Sequence, residues 1–431
     1  MPNRRLVFSF LAGTAVVIAA VAVVYHEAAL SYFVDDDFHW LQGPRRFEWS
    51  GLLDLDRYDH FYRPMIEVYF AIGHWAVGCS ALPFHLASIG IHLLNTLVLF
   101  AFARRLTGDI RFASMTVLLF AVQPGFVEAG AWVAAITDLL PALWYLLTLL
   151  LHLMFVQDRR SWTYGASMAT FTACLLTHES AATLLPMMIV LEGLLALEGR
   201  LSGQDRLSRR AARYVPFALL LGAFLVVAYV VNSRSYLVRE GYYAIGAHAV
   251  TNAFNYLVAL YVGRRSVVDY ALIAAVAAAV LLRGTLRMRF FLVWIVITML
   301  PVLFFTWGIA SRYLYVPAAG FALLLAETFR VCEGLAARRL PARLVRTAIA
   351  IAAVVLAVRF GIFAQKGAEG FRARTRPSER LAAALVTANR PLPRDRVVYI
   401  DAETAEGVLA LYRDALAEEA FCTSGVRVVV R

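Results

Sequence analysis

Apolar runs of about twenty residues recur along the chain, and each is long enough for an α-helix to cross the hydrocarbon core of a bilayer. About eleven such windows occur, near 6–25, 84–103, 112–127, 133–156, 162–177, 181–198, 214–231, 267–282, 290–307, 312–330 and 345–363. Helices that satisfy their own backbone hydrogen bonds are the one simple way to place so many runs in lipid. With 61% hydrophobic residues and a mean hydropathy of +0.67, the 431 residues lie outside the range of soluble domains. The expected fold is therefore an all-α polytopic membrane protein with about eleven transmembrane helices.

The net charge of +11 would suggest nucleic acid in a soluble chain. Here the arginines fall in clusters between apolar runs, so they encode topology and no nucleic-acid partner is expected. Arg4–Arg5, Arg104–Arg105 with Arg111, Arg159–Arg160, Arg200 through Arg213, Arg283 with Arg287 and Arg289, and Arg338 through Arg346 alternate with crossings. The positive-inside rule makes these loops cytoplasmic. Asp35–Asp36–Asp37, Glu128, His178–Glu179 and Arg312 then share the opposite face. Arg264–Arg265 is the main exception and leaves the crossing number around 251–282 open. This pattern predicts an integral protein of a bacterial inner membrane, with its site and C-terminus extracytoplasmic. The start, Met1 to Arg5 before an apolar run, has the charge of a signal peptide. The run is too long and lacks a cleavage site, so it reads as an uncleaved span. Cys79, Cys174, Cys332 and Cys422 show no metal spacing and suggest no disulfide framework. The one lysine, Lys366, lies outside the apolar runs.

Two regions follow. Residues 1–365 form the membrane domain, with a long outer loop at about 26–83. In it, Tyr62-Arg63-Pro64 opens an amphipathic, interfacial helix ending near Cys79. A second outer segment, about 232–266, carries another such helix. Residues 366–431 read as a small α+β module: strand 396–400, helix 406–421 and strand 426–430.

The acidic stretch Phe33-Val34-Asp35-Asp36-Asp37-Phe38-His39-Trp40 follows the first run directly. Three adjacent carboxylates cannot stay ionised in lipid without partners, so they sit where water or a polar cavity meets the membrane. The plain structural reading is a stop on the first helix, but the flanking aromatics favour a packed, polar-lined site. The outer face offers carboxylates (Asp35, Asp36, Asp37, Glu128, Asp138, Glu179) and cationic or donor groups (Arg63, His178, Arg312). Transfer of a sugar to a hydroxyl needs both classes, a base for the acceptor proton and donors for a phosphate leaving group. Glu128 and Asp138 also suit helix capping, Arg63 an interfacial anchor, and His39 a packing role. No cofactor is certain; Asp35, Asp37 and His39 leave a divalent metal open, on weak spacing.

Several blocks resemble a known family. Asp36-Asp37-Phe38-His39-Trp40 is similar to the Asp-Glu-x-His-Phe motif of protein O-mannosyltransferases. Tyr62-Arg63-Pro64, Pro83-Phe84-His85, His92-Leu93-Leu94-Asn95, Gln123-Pro124-Gly125-Phe126-Val127-Glu128-Ala129, Thr177-His178-Glu179-Ser180 and Ser311-Arg312-Tyr313-Leu314-Tyr315-Val316-Pro317 resemble, in order, blocks of the transmembrane-and-TPR mannosyltransferases and their bacterial relatives. The resemblance covers residues 30 to 330. It implies a GT-C fold and an inverting transferase that takes sugar from a polyprenyl-phosphate donor to an extracytoplasmic protein, glycan or lipid acceptor. It implies Asp36 as general base, Asp37 and Glu128 orienting the acceptor or a metal, and Arg63, His178 and Arg312 holding phosphate. Asp35, His39, Asp138, Glu179 and Tyr313 complete the expected substrate-binding set. Aspartate at 37, glutamine at 123 and histidine at 178 depart from the family pattern, and a short tail stands in place of the TPR array. A lipid-linked-sugar transporter and a non-catalytic assembly subunit are the alternatives from other classes.

Overall fold

The computed structural model describes residues 4–58, 60–201 and 207–431. In chain order the helices are α1 (Arg4–Ala29), α2 (Asp36–Gln42), α3 (Pro64–Val77), α4 (Ala81–Thr107), α5 (Ile110–Ala121), α6 (Val127–Ala131), α7 (Ile136–Asp158), α8 (Ser161–Leu175), α9 (Leu184–Leu197), α10 (Leu207–Asn232), α11 (Tyr236–Arg239), α12 (His248–Tyr261), α13 (Val267–Arg283), α14 (Leu286–Met299), α15 (Tyr315–Ala336) and α16 (Ala342–Ala388). A tail of β1 (Val397–Ile400), α17 (Ala410–Phe421) and β2 (Arg427–Val430) follows. Each expected apolar window falls mostly on helix, with 303–307 as the main exception. Among the described residues, however, six helices are long and apolar enough to cross a membrane, or seven if α5 and the bent segment after it count as one span. The expectation of about eleven exceeds this because α8, α13 and α14 have 15, 17 and 14 residues, and α1 counts only over Gly13–Ala29. At about 1.5 Å per residue these are shorter than a hydrocarbon core of about 30 Å.

The core is built where α4, α5, α7, α14 and α15 meet. Phe102, Phe112, Phe120, Phe126, Trp294 and Tyr315 are fully buried there. Close approach is set by small residues: a Cβ at Gly320 would stand 2.6 Å from the Trp294 ring, and one at Gly130 would stand 2.5 Å from the Tyr25 ring. Within this core, His92 Nδ1 lies 2.6 Å from the Tyr315 hydroxyl, and Asn95 Nδ2 donates to that hydroxyl (3.2 Å) and to Leu139 O (3.0 Å). These motif residues therefore tie α4 to α7 and α15 rather than facing a substrate. Gln123 does similar work at the 47° break after α5. Its Oε1 accepts from Gly125 N, and its Nε2 donates to Leu260 O of α12 (2.8 Å).

The loop ends sort onto two faces. On one, Arg105 pairs with Asp158, Arg111 and Arg346 both reach Glu333, and Arg287 and Arg200 both reach Glu198. Five arginine-bearing connections thus meet at one end of the helices. At the other end lie the first loop, the turn before α7, the start of α9 and the tail.

α16 corrects the expected shape of the tail. It runs for 47 residues, about 70 Å, and passes 365–366 without a break. Buried Ala364, Ala368, Phe371, Thr375, Ser378, Leu381 and Leu385 keep a three-to-four spacing across that point. Beyond it β1 and β2 pair in parallel, Val397 opposite Arg427 through Ile400 opposite Val430, with α17 as the crossover. α17 packs on α2. A disulfide joins Cys79, just after α3, to Cys422 at the end of α17, with Cα atoms 5.7 Å apart. The absence of a disulfide framework expected from spacing is thereby overturned. The partners are 343 residues apart, and no local motif signals such a pair.

Candidate active site

Pro64 opens α3 with a fixed φ suited to a first helical turn, and Met65 N donates to Leu176 O at 3.1 Å. This docks Arg63 against the segment leading into α9. Its guanidinium grips Glu179, with Nη2 2.7 Å and Nε 3.1 Å from Oε2. Nη2 also lies 3.0 Å from His178 Nε2, while His178 Nδ1 accepts from Ser180 N at 3.0 Å. Both ring nitrogens of His178 thus face donors. Burial first, then Arg63 and Arg312, holds this imidazole well below its ordinary range. The sequence left His178 as a cation or a donor; its low-lying imidazole and its contact with Arg63 favour an uncharged ring that supports Arg63.

Arg312 is the second cation, half-buried. Its Nη1 donates to Glu128 Oε1 (3.1 Å) and its backbone N–H to Glu128 Oε2 (3.3 Å), which also accepts from Ser311 Oγ (3.0 Å). Nη2 donates to the Tyr313 hydroxyl at 3.2 Å. Asp138 lies in the first turn of α7, with Oδ2 3.7 Å from Arg312 Nε, beyond hydrogen-bond range. That oxygen is buried and accepts no hydrogen bond from the described residues. A cavity of about 30 Å³ opens among Asp138, His178, Arg312 and Tyr313. Asp138, His178, Arg312 and Tyr313 thus line one cavity, and Arg63, Glu179 and Glu128 reach it through their bonds to His178 and Arg312.

The acidic triplet forms a separate rim. Asp35 has φ 50°, a left-handed conformation unusual for a residue with a side chain. Asp36 starts α2 and is exposed, and its Oδ1 accepts from the Tyr412 hydroxyl of α17 at 2.8 Å. Asp35 Oδ2 accepts from Arg374 of α16, at 2.5 Å from Nη2. Asp37 is 0% exposed. Its Oδ2 accepts from Val34 N (2.8 Å) and its Oδ1 from Ala134 N (2.6 Å). Burial drives the Asp37 carboxyl up, opposed by those two N–H groups. Both oxygens brace the loop against the turn before α7, a structural use of Asp37 beside the expected role in orienting an acceptor. Asp35, Asp37 and His39 also fail as a metal set, because their side chains do not converge. His39 is exposed, with its ring against Trp40. Among the described residues, no group of three or more His, Cys, Asp or Glu side chains is placed to hold a metal.

Trp132 connects pocket and rim. The guanidinium carbons of Arg312 and Arg374 lie 5.1 and 5.4 Å from its ring centroid, and its Nε1 donates to Val34 O (3.3 Å). Sequence reasoning passed over Trp132, Arg374 and Tyr412. Trp132 had a usable signal, standing one helical turn after Glu128.

With this geometry in place, similarity to known proteins is informative. In overall fold the chain matches ArnT from Cupriavidus metallidurans, solved bound to undecaprenyl phosphate. The TM-score is 0.56 at 14% identity, covering 96% of this chain and 85% of that one. It also matches the oligosaccharyltransferase AglB from Archaeoglobus fulgidus, solved with an inhibitory peptide and a dolichol-phosphate. There the TM-score is 0.51 at 14% identity, over 96% and 63%. The fold is that of the GT-C membrane glycosyltransferases. In sequence the chain is similar to protein O-mannosyl-transferases. The mouse TMTC2 is 27% identical over 147 residues, 33% of this chain and 18% of that protein. Drosophila melanogaster Tmtc2 is 28% identical over 176 residues, 39% and 18%. The chain thus spans less than a fifth of the length of these relatives. No family model matches.

Proposed function

We propose that the chain is an extracytoplasmic-face glycosyltransferase that moves a sugar from a polyprenyl phosphate to an acceptor hydroxyl. The acceptor oxygen forms a bond to the anomeric carbon as the bond from that carbon to the phosphate oxygen breaks, with inversion. Asp36 takes the hydroxyl proton, and the polyprenyl phosphate leaves with the bonding electrons. Arg312 and Arg63, released in part from Glu128 and Glu179, hold the phosphate charge as it develops. Asp138 orients the donor sugar, and His178 keeps Arg63 aimed. Tyr313 holds Arg312, and Trp132 spaces phosphate from base.

One observation carries this reading: an exposed carboxylate, Asp36, and two carboxylate-paired arginines, Arg63 and Arg312, lie on one face in the GT-C fold, with Trp132 between Arg312 and the segment that leads into Asp36. Two proteins of that fold were solved with lipid phosphates. A disulfide on this face agrees with an oxidising compartment, as the opposite face's arginines agree with the cytoplasm. Reconstitution in vesicles with radiolabelled polyprenyl-phosphate hexoses tests the reading. Label should leave the donor for an envelope protein, glycan or lipid, with release of polyprenyl phosphate. Vesicles that bind every donor and transfer none would refute it. Reporter fusions at Gly43 and Gly407 should lie outside and those at Gly108 and Gly334 inside; a cytoplasmic Gly43 would place the site on the wrong face.

A further inference from the structure

The tail of this chain is built into the acidic rim. Tyr412 sits in the first turn of α17, its ring 6.3 Å from that of Phe38 and its hydroxyl 2.8 Å from Asp36 Oδ1. Burial, then the Asp36 carboxylate, pushes the phenol up, so it stays a donor through neutral pH. Asp36 Oδ2 accepts no hydrogen bond among the described residues, which leaves one oxygen for an incoming hydroxyl. Two further contacts fix α17 in place. Cys422 is bonded to Cys79, and Arg45 of the first loop reaches Glu419 Oε1 (2.7 Å), Glu418 Oε2 (3.3 Å) and Glu418 O (3.1 Å). The cross-link ties the first loop to the end of the chain, so it restrains α2 and α17 together.

We propose that Tyr412 is a positioning residue for Asp36, and that the Cys79–Cys422 disulfide clamps the tail module as part of the active face. This rests on the reading of Asp36 as the base. A hydroxyl on Oδ1 fixes the plane of the carboxylate and presents Oδ2 to the acceptor. The tail therefore acts through the base rather than on the substrate.

Peptide mapping of the unreduced protein should recover Cys79 and Cys422 in one cross-linked species; two free thiols would refute the clamp. Tyr412→Phe keeps the ring and deletes the hydroxyl. It should lower kcat about tenfold with KM for donor and acceptor within about twofold, and speed amide exchange across residues 36–42. Reduction of the folded protein by a dithiol yields two thiols and a cyclic disulfide of the reductant. It should cause the same loss, reversed on reoxidation, and this does not depend on a variant folding. Wild-type kcat and wild-type exchange in Tyr412→Phe would overturn the positioning role. Asp36→Asn separates the two failures. Full transfer in Asp36→Asn refutes the base itself; abolished transfer there with wild-type kcat in Tyr412→Phe refutes only the positioning role.

Discussion

The arginine pocket and the acidic rim face the same side but are made differently. In the pocket each cation already holds a carboxylate, Arg63 with Glu179 and Arg312 with Glu128, and the groups come from segments leading into long helices. In the rim, Asp36 is exposed, and the partners of the rim carboxylates, Tyr412 on Asp36 and Arg374 on Asp35, arrive from the last sixty residues. A buried charge without a partner is costly, so the pocket must be paired before any substrate arrives. The exposed carboxylate of Asp36 needs no such pairing because water solvates it. On the proposed reading, the chain thus separates the group that must be held from the group that must be free to take a proton.

The largest effect should come from breaking the pocket. Arg312→Ala removes a phosphate donor and strands Glu128, and transfer should fall about 10²–10³-fold, as measured by single-turnover rate. Arg374→Gln breaks the rim pair with Asp35, whose arginine side chain is 48% exposed. Exposed ion pairs contribute little, so the rate should fall only about two- to fivefold. A loss as large as that in Arg312→Ala would mean that rim and pocket are not separable.

The smallest and most diagnostic effect is on pH dependence, which has opposite signs in the two regions. His178 is held below its ordinary 6.5, so the unfolded chain takes up the proton first. The pocket's stability is full above 6.5 and is lost as pH falls below it. Glu419, buried beside Arg45, is pushed up by burial from 4.5 to about 7. Its contribution is full below 4.5 and lost as pH rises through about 7. Amide exchange corrected for its intrinsic rate should therefore loosen 176–180 at pH 5 and 410–421 at pH 8. The reverse order would contradict both assignments.

This contrast also explains what could be read in the sequence. The pocket residues stand in short blocks of charged and aromatic residues beside apolar runs, so Arg63, Glu128, Glu179 and Arg312 were visible as a set. The downward shift of the His178 imidazole was not, because it comes from burial and from Arg63 and Arg312, which only the fold brings to its ring. Asp37 looked like a second site carboxylate, yet Ala134 N, from a turn 97 residues away, claims it. Tyr412, Arg374 and the Cys79–Cys422 bond depend on contacts across more than 330 residues, and nothing local announces them. The continuation of α16 was legible, since its stripe of buried positions keeps helical spacing through 366. The charged residues on its other face disguised it as a separate tail.

Asp36→Asn tests the central claim most directly. The substitution keeps the size of the side chain and an oxygen for Tyr412 while removing its basicity. In reconstituted vesicles, single-turnover transfer from a radiolabelled polyprenyl-phosphate sugar should fall about 10²–10⁴-fold, with donor binding and the Cys79–Cys422 bond retained. Wild-type transfer in this variant would contradict the assignment of Asp36 as the base, and with it the division between an open rim and a paired pocket.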